Sequence, residues 1–226
     1  MIKPLLGAVA LAASLCAAPV WAADTHEGDI VMSVMGGKLA TSGGHTDTIF
    51  EGDFGDLPGG PYKTDDPGYD SAAGTFMNGA QVMYSALGML KFWNGSNWSS
   101  ANVPTGNQVQ IDGNLGEETF FGATGISGSV SGLIGQAGSS GMVHEHLDMS
   151  LTGDEKSTPG AYMISLQLTS AKYMSSDPYY IVLNAGLGDD AFEAAVMAAV
   201  PEPSTYAMLL LGLAAVGWGA KRRRAH

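Results

Sequence analysis

Glycine divides the central part of this chain into short apolar runs. It supplies 28 of the 178 residues from 23 to 200, about 16%, which is more than twice its usual share in proteins. Because glycine is unfavourable inside helices but suits tight turns, this pattern argues against long helices. The short apolar runs alternate with Gly, Asn, Asp and Pro, which is typical of strands joined by turns.

The spacing of these runs predicts the fold class. Ten candidate strands recur roughly every 8–15 residues, which favours a single all-β domain over residues 23–199, an antiparallel β-sandwich or jelly-roll-like barrel. A solenoid is the alternative for a glycine-rich chain, but no fixed short repeat is present. One short late helix is predicted over 189–199, where two Asp residues precede an apolar run. The predicted strands are 29–35, 46–51, 81–85, 88–93, 107–112, 118–122, 129–134, 142–151, 161–169 and 179–184.

Residues 1–22 are predicted to be a secretory signal peptide. A positively charged start is followed by an apolar run, and Val20 and Ala22 occupy the −3 and −1 positions of a cleavage site. A lipoprotein signal and a retained anchor are the alternatives. A lipoprotein signal needs a small residue before its cysteine, but Leu15 precedes Cys16. We therefore expect the Sec translocon and signal peptidase as partners.

The C-terminal segment, residues 200–226, also differs from the rest of the chain. Residues 200–205 read Val-Pro-Glu-Pro-Ser-Thr, residues 206–220 are apolar, and residues 221–226 contain four Lys and Arg. A helix over the apolar run would span about 22 Å at about 1.5 Å per residue, so its basic end must reach the membrane interface. Because basic residues stay cytoplasmic, we expect a transmembrane helix with the domain outside. A buried core helix with a basic end is the alternative.

This C-terminal pattern resembles the PEP-CTERM sorting signal. The resemblance rests on the triplet Pro201, Glu202 and Pro203, on the short apolar run and on the terminal basic cluster. In that family an exosortase, a membrane protease-transpeptidase, recognises the signal and processes the chain near the triplet. The resemblance implies transient anchoring in the inner membrane, followed by a location at the cell surface or outside the cell.

Charge and cysteine content exclude several classes of partner and site. Residues 23–200 hold 21 carboxylates, five Lys and no Arg, for a net charge of −16. Nucleic acids and anionic membrane surfaces require clustered cations, so we expect neither as a partner. The one cysteine, Cys16, lies in the predicted signal peptide. We therefore expect a mature domain without disulfides, thiolate metal sites or cysteine nucleophiles.

Residues 142–151 form the most informative predicted strand. Alternation places apolar side chains on one face and His144, His146 and Asp148 on the other. Neighbours on the polar face would lie about 6.5–7 Å apart, a spacing that lets two imidazoles close on one Zn²⁺. The alternative is a solvated strand face. Because two of the four histidines in residues 23–200 stand in this pair, we favour zinc.

Two other histidines are candidates for a further ligand. His26 precedes the first predicted strand and has Asp29 nearby, although N-terminal residues are often unstructured. His45 lies at a glycine turn and is the weaker candidate. The predicted zinc site therefore consists of His144, His146 and Asp148, with His26 as an additional ligand.

Acidic residues cluster in two predicted loops. One loop contains Asp53 and Asp56, and the other contains Asp65, Asp66 and Asp70. Loop oxygens of this kind bind Ca²⁺ in extracellular proteins, where weak sites are useful. Neither loop has EF-hand spacing, and the Asp-Pro-Gly sequence in the second is also an ordinary turn. Calcium binding is therefore an alternative to a role in turn formation and solubility.

Trp93 and Trp98 flank the turn Asn-Gly-Ser-Asn and form a candidate sugar-binding platform. Exposed indole rings can stack on sugar rings, which would suit exopolysaccharide as a partner in a biofilm matrix. The alternative is a cross-strand aromatic pair that packs into the core. A structural or adhesive extracellular module is therefore the second functional hypothesis, beside zinc binding.

The sequence predicts no enzymatic activity. The common motifs of serine hydrolases, zinc proteases and nucleotide-binding enzymes are absent. The lack of Arg in residues 23–200 removes the usual bidentate clamp for carboxylate or phosphate substrates. Carboxylates are numerous enough to form hydrolytic pairs, but nothing singles one pair out.

Five short segments of the central domain also resemble an uncharacterised family of secreted PEP-CTERM proteins. Some members of that family are associated with zinc-responsive regulation. The resemblance implies a single extracellular domain, favours zinc, and carries over His26, His144 and His146 without assigning an activity. The segments are residues 26–30, 50–56, 64–70, 144–148 and 176–187.

Overall fold

The computed structural model describes residues 28–58 and 60–200. The predicted signal peptide, His26, the Pro-Glu-Pro triplet and the predicted transmembrane helix lie outside these residues. The described chain forms short strands, a single 3-10 turn at Ser100–Asn102 and one α-helix. Their bounds are β1 (Ile30–Met35), β2 (Lys38–Ser42), β3 (Ile49–Asp53), β4 (Lys63–Thr64), β5 (Tyr69–Asp70), β6 (Gln81–Trp93), β7 (Trp98–Ser99), β8 (Gln108–Asp112), β9 (Glu118–Gly122), β10 (Gly125–Gly128), β11 (Ser131–Gln136), β12 (His144–Glu145), β13 (Met149–Thr152), β14 (Gly160–Thr169), β15 (Tyr179–Ala185) and α1 (Asp189–Ala199).

The strands form three sheets in a sandwich-like arrangement. The first has the order β12-β5-β1-β2, the second β10-β9-β8-β13-β4, and the third β11-β6-β14-β15-β3 with β7 beside β6. Most neighbouring strands are antiparallel, but β1 pairs in parallel with β5, and β15 pairs in parallel with β3. The predicted all-β sandwich with one late helix is confirmed, and the helix has the predicted bounds.

Strand β6 joins two of the predicted strands into one. The sequence predicts that Gly88 begins a separate strand, but it lies within β6, where its positive φ of 69° is accommodated by an irregularity. Lys91 pairs with Met163 and Leu87 pairs with Ser165, which leaves two extra residues on β6. The long strand can therefore pair with β11, β14 and β7.

Residues 142–151 do not form the single strand that the sequence predicts. β12 pairs with β5 in the first sheet, whereas β13 pairs with β8 and β4 in the second, so residues 146–148 cross from one sheet to the other. The prediction that the apolar side chains of this segment share one face is nevertheless supported, because all of them are buried. These are Val143, Leu147, Met149 and Leu151.

The main core lies between the sheets and contains four buried tyrosines. Each hydroxyl has a hydrogen-bond partner, as buried polar groups require. The hydroxyls of Tyr69 and Tyr179 lie 2.8 Å apart. The other two pairs are Tyr84 with Thr119 at 3.0 Å and Tyr162 with Asn107 at 2.7 Å. Two of these bonds connect strands from different sheets, and the third connects β14 to the residue before β8. Such bonds favour one arrangement of the core over others.

A second, smaller core lies beneath α1. Phe192, Ala195 and Val196 of the helix pack against a cluster that includes Trp93, which is 8% exposed. The indole N–H of Trp98 donates to the Ala195 carbonyl over 2.9 Å, and the two indole centroids lie 5.7 Å apart. The structure therefore differs from the expectation of an exposed sugar platform. The tryptophan pair docks the helix, which is the core-packing alternative.

Within residues 28–58 and 60–200, no helix is long and apolar enough to cross a membrane. The predicted transmembrane run at 206–220 lies beyond these residues.

Candidate metal site

Thr64, the last residue of β4, holds together two of the predicted acidic residues, Asp56 and Asp66. The Thr64 hydroxyl is buried, donates to Asp56 Oδ2 over 2.7 Å and accepts from the Asp66 N–H over 3.0 Å. Thr64 therefore connects the two acidic loops, which are separate segments of the sequence. Ligand atoms of Asp56, Asp65 and Asp66 lie within 4.8 Å of one another.

Carboxylates dominate the lining of an adjacent cavity of about 240 Å³. None of the described residues that line it is Lys or Arg. Burial raises the pKa of Asp66, and repulsion from Asp56 and Asp65 raises it further, while His146 lowers it. The cavity therefore concentrates negative charge that a cation would neutralise. Its acidic residues are Asp29, Glu51, Asp53, Asp56 and Asp66.

Asp29 is the buried member of this group, with 3% exposure. Its Oδ1 accepts a hydrogen bond from the Gly68 N–H over 3.0 Å. Its Oδ2 is also buried and has no hydrogen-bond partner among the described residues. Leaving a buried carboxylate oxygen without a partner is costly. A cation bound at this oxygen would remove that cost.

His146 approaches the same place from the crossing segment between β12 and β13. Its Nδ1 lies 3.1 Å from the Asp65 carbonyl oxygen, and 3.8 Å and 3.9 Å from carboxylate oxygens of Asp66 and Asp65. Because all of these neighbours are acceptors, we place the proton on Nδ1, which leaves the lone pair on Nε2. Ligand atoms of Asp29, Asp66 and His146 lie within 4.8 Å of one another.

Gly68 is the residue that allows this approach. A Cβ atom at Gly68 would lie 2.5 Å from Cε1 and 2.6 Å from Nε2 of His146, and 2.9 Å from Asp29 Oδ1. These separations are too short for any side chain without movement of the imidazole. The Asp66 side chain, in contrast, is 55% exposed, so the site is open to solvent and to an incoming ion.

His144 lies beside His146 but faces a different carboxylate. The two ring centroids are 5.5 Å apart in an edge-to-face arrangement. His144 Nδ1 lies 3.5 Å from Oδ1 of Asp70, which is 1% exposed. No three-residue ligand group among the described residues includes His144. The predicted His-x-His pair is therefore adjacent in space, but its two rings have separate acidic neighbours.

The other predicted ligands fall outside this arrangement. Asp148 is exposed and belongs to no three-residue ligand group within the described ranges, since the chain leaves the strand geometry at His146. Asp70 pairs with His144 rather than lining the cavity, and His26 lies outside the described residues. The sequence places Asp29 only beside the His26 candidate, at the start of the first predicted strand, whereas in the structure it is the buried member of the ligand group.

Comparison with known families bears on the C-terminus. Residues 199–224 match the family described as the PEP-CTERM protein-sorting motif. The chain carries a PEP-CTERM sorting signal. This signal implies export, membrane anchoring before cleavage, and processing by exosortase, a membrane processing enzyme. The PEP-CTERM match begins at Ala199, the last residue of α1, so the sorting motif follows the folded domain without a linker. Comparisons with curated proteins and with solved structures find no significant match.

Proposed function

We propose that the domain exported with this PEP-CTERM signal is a non-catalytic module that binds Zn²⁺ through Asp29, Asp66 and His146. The observation that carries the proposal is Asp29 Oδ2, a buried carboxylate oxygen without a hydrogen-bond partner among the described residues. It lies in a group that also offers an imidazole and a second carboxylate. Zn²⁺ accepts imidazole nitrogen and carboxylate oxygen together, and the exposed side of Asp66 leaves room for a further ligand.

The imidazole is what favours zinc over calcium. Ca²⁺ takes oxygen ligands, whereas Zn²⁺ accepts nitrogen and oxygen together. The contact from His146 Nδ1 to the Asp65 carbonyl is the outer-shell hydrogen bond that metal-bound histidines usually make. Calcium is the second candidate, and the all-oxygen group of Asp56, Asp65 and Asp66 supports it.

Replacement of His146 tests the zinc proposal. We expect His146→Ala to weaken Zn²⁺ binding by roughly 100-fold or more, because loss of an outer-shell partner alone costs about 10–100-fold. His144→Ala is the matched control and should change the affinity only a few-fold. The measurement is calorimetric titration of the full-length chain in detergent, with Cys16→Ser so that no thiolate competes. At about 100 times Kd, zinc should stabilise the wild-type domain by about 2.7 kcal/mol.

Three results would contradict this assignment. The first is an absence of zinc binding by the wild-type chain. The second is a His146→Ala variant that binds zinc as tightly as the wild type. Equal losses in His144→Ala and His146→Ala would instead support the two-histidine site predicted from the sequence. A His26→Ala variant shows whether the N-terminal histidine contributes, and calcium titration of His146→Ala shows whether the oxygen group binds an ion separately.

Gly68→Ala should also weaken zinc binding, by about tenfold. The added Cβ would push the His146 ring away from Asp29, although neither ligand is removed. Gly138→Ala is the control, because no atom lies within 4 Å of a Cβ at that position. The same titration measures both variants. An unchanged zinc affinity in Gly68→Ala would mean that His146 does not coordinate from its observed position.

A further inference from the structure

A second group of donor atoms lies at the edge of α1 and shares only Glu51 with the lining of the acidic cavity. His45 is in the turn between β2 and β3, Glu51 is in β3, and Glu193 and Met197 are one turn apart on α1. His45 Nε2 lies 3.2 Å from Met197 Sδ, and His45 Nδ1 lies 3.6 Å from Glu51 Oε1. Ligand atoms of His45, Glu51 and Glu193 are within 4.8 Å of one another.

Glu51 influences which nitrogen of His45 carries the proton and which nitrogen carries the lone pair. A carboxylate beside Nδ1 favours the tautomer with its proton on that nitrogen, as the acidic partners of metal-bound histidines do. Nε2 then directs its lone pair toward Met197 Sδ. Two lone-pair donors in contact repel each other unless an ion lies between them.

The distance between these atoms fits two ligands of one metal ion. Metal–nitrogen bonds of about 2.0 Å and metal–sulfur bonds of about 2.3 Å place the two ligand atoms about 3.1–3.5 Å apart at bond angles near 90–109°. The observed separation of 3.2 Å lies within that range. The second acid, Glu193, is close enough to supply a further oxygen.

We propose that His45 and Met197 bind Cu⁺, with Glu51 orienting the imidazole and Glu193 as a supplementary oxygen ligand. A thioether is a soft donor that selects Cu⁺, and imidazole also binds copper. Carboxylate oxygens of Glu51 and Glu193 lie within 4.8 Å of each other, so a nearby cation would relieve the crowding of the two acids. The bound ion would connect the turn before β3 to α1, two residues before the sorting motif begins.

X-ray absorption and Cu⁺ competition with a chromogenic chelator test this site. The sample is the full-length chain with Cys16→Ser, kept under reducing conditions. Because this chain then has no cysteine, any Cu–S scattering at about 2.3 Å must come from methionine. We expect Met197→Leu to abolish that scattering and to weaken Cu⁺ binding at least about tenfold, and His45→Gln to have the same effect.

Met174→Leu is the matched control, because Met174 is 61% exposed and Met197 is 56% exposed. It should bind Cu⁺ like the parent chain, and so should His146→Ala, which separates this site from the zinc proposal. Absence of Cu–S scattering in the parent chain would overturn the inference. Full retention of copper in Met197→Leu, or equal losses in Met174→Leu, would overturn it as well.

Discussion

Raising the pH from 9 to 12 is expected to unfold the domain. Two tyrosines that are fully buried in the folded state lose their protons readily only in the unfolded chain, so high pH favours unfolding. Burial raises the pKa of Tyr69 and Tyr179 well above the ordinary value, although their mutual hydrogen bond lowers that of Tyr69. In the unfolded chain both groups titrate near pH 10. Stability is therefore complete below about pH 10 and falls as the pH rises toward the folded-state pKa values.

The expected loss is large compared with the stability of a domain. Each tyrosine that is still protonated when folded and ionised when unfolded removes up to about 1.4 kcal/mol per pH unit, or about 2.7 kcal/mol for the pair. Typical domains are stable by about 5–15 kcal/mol. Burial also raises the pKa of Tyr84 and Tyr162, which acts in the same direction.

Tyrosinate absorbance and far-UV circular dichroism measure this transition together. We expect the absorbance change of the buried pair to coincide with the loss of the dichroism signal above pH 10, since ionisation of that pair requires unfolding. The double variant Tyr69→Phe/Tyr179→Phe should shift the midpoint to higher pH, whereas Tyr180→Phe, at a half-buried position, should not. Complete tyrosine ionisation near pH 10 with an unchanged dichroism spectrum would contradict the prediction.

Gly160→Ala should destabilise the domain by about 1–3 kcal/mol through overpacking. A Cβ at Gly160, the first residue of β14, would overlap the ring atoms Cζ and Cε2 of Phe92. That ring is 6% exposed and makes an edge-to-face contact with Tyr162 at a centroid distance of 5.0 Å. It therefore cannot move without disturbing the core.

Thermal unfolding compares this variant with Gly138→Ala. We expect Gly160→Ala to lower the Tm by about 3–10 °C, using about 2–4 °C per kcal/mol for a domain of this size. Alanine at Gly138 meets no atom within 4 Å and should be neutral or stabilising by up to about 1 kcal/mol, because it restricts the unfolded chain. If the two variants had the same Tm, overpacking at Gly160 would be refuted.

Local patterns in the sequence were sufficient to predict the individual elements that depend on near neighbours. The helix at Asp189–Ala199 follows from two acidic residues ahead of an apolar run, and β9 has its predicted bounds at Glu118–Gly122. Strands β2, β4, β5, β7 and β10 are missed. β2 pairs with its neighbour β1 but contains a single buried residue, whereas β4 and β5 have two residues each and pair with strands far away along the chain.

The acidic site likewise combines motifs that are visible in the sequence with contacts between residues that are distant along the chain. The two acidic loops and the histidine pair are visible as separate motifs, one suited to calcium and the other to zinc. The structure brings Asp56, Asp66 and His146 to one place and adds Asp29, whose neighbours come from the pairing of β1 with β5. His144 and Asp148 lie outside this ligand group of the described residues, because the strand that would align them is divided between two sheets.

By itself, the sequence determined the sorting signal, the absence of cysteine between residues 23 and 200, and the all-β class, since each depends on composition or on contiguous residues. Only the tertiary structure decided which side chains meet. Pairing between distant strands leaves Asp29 buried with an oxygen that lacks a described partner, places Gly68 against His146, and hides Trp93 beneath α1. Sheet pairing depends on the packing of the whole chain, so contacts of this kind cannot be found in a local pattern.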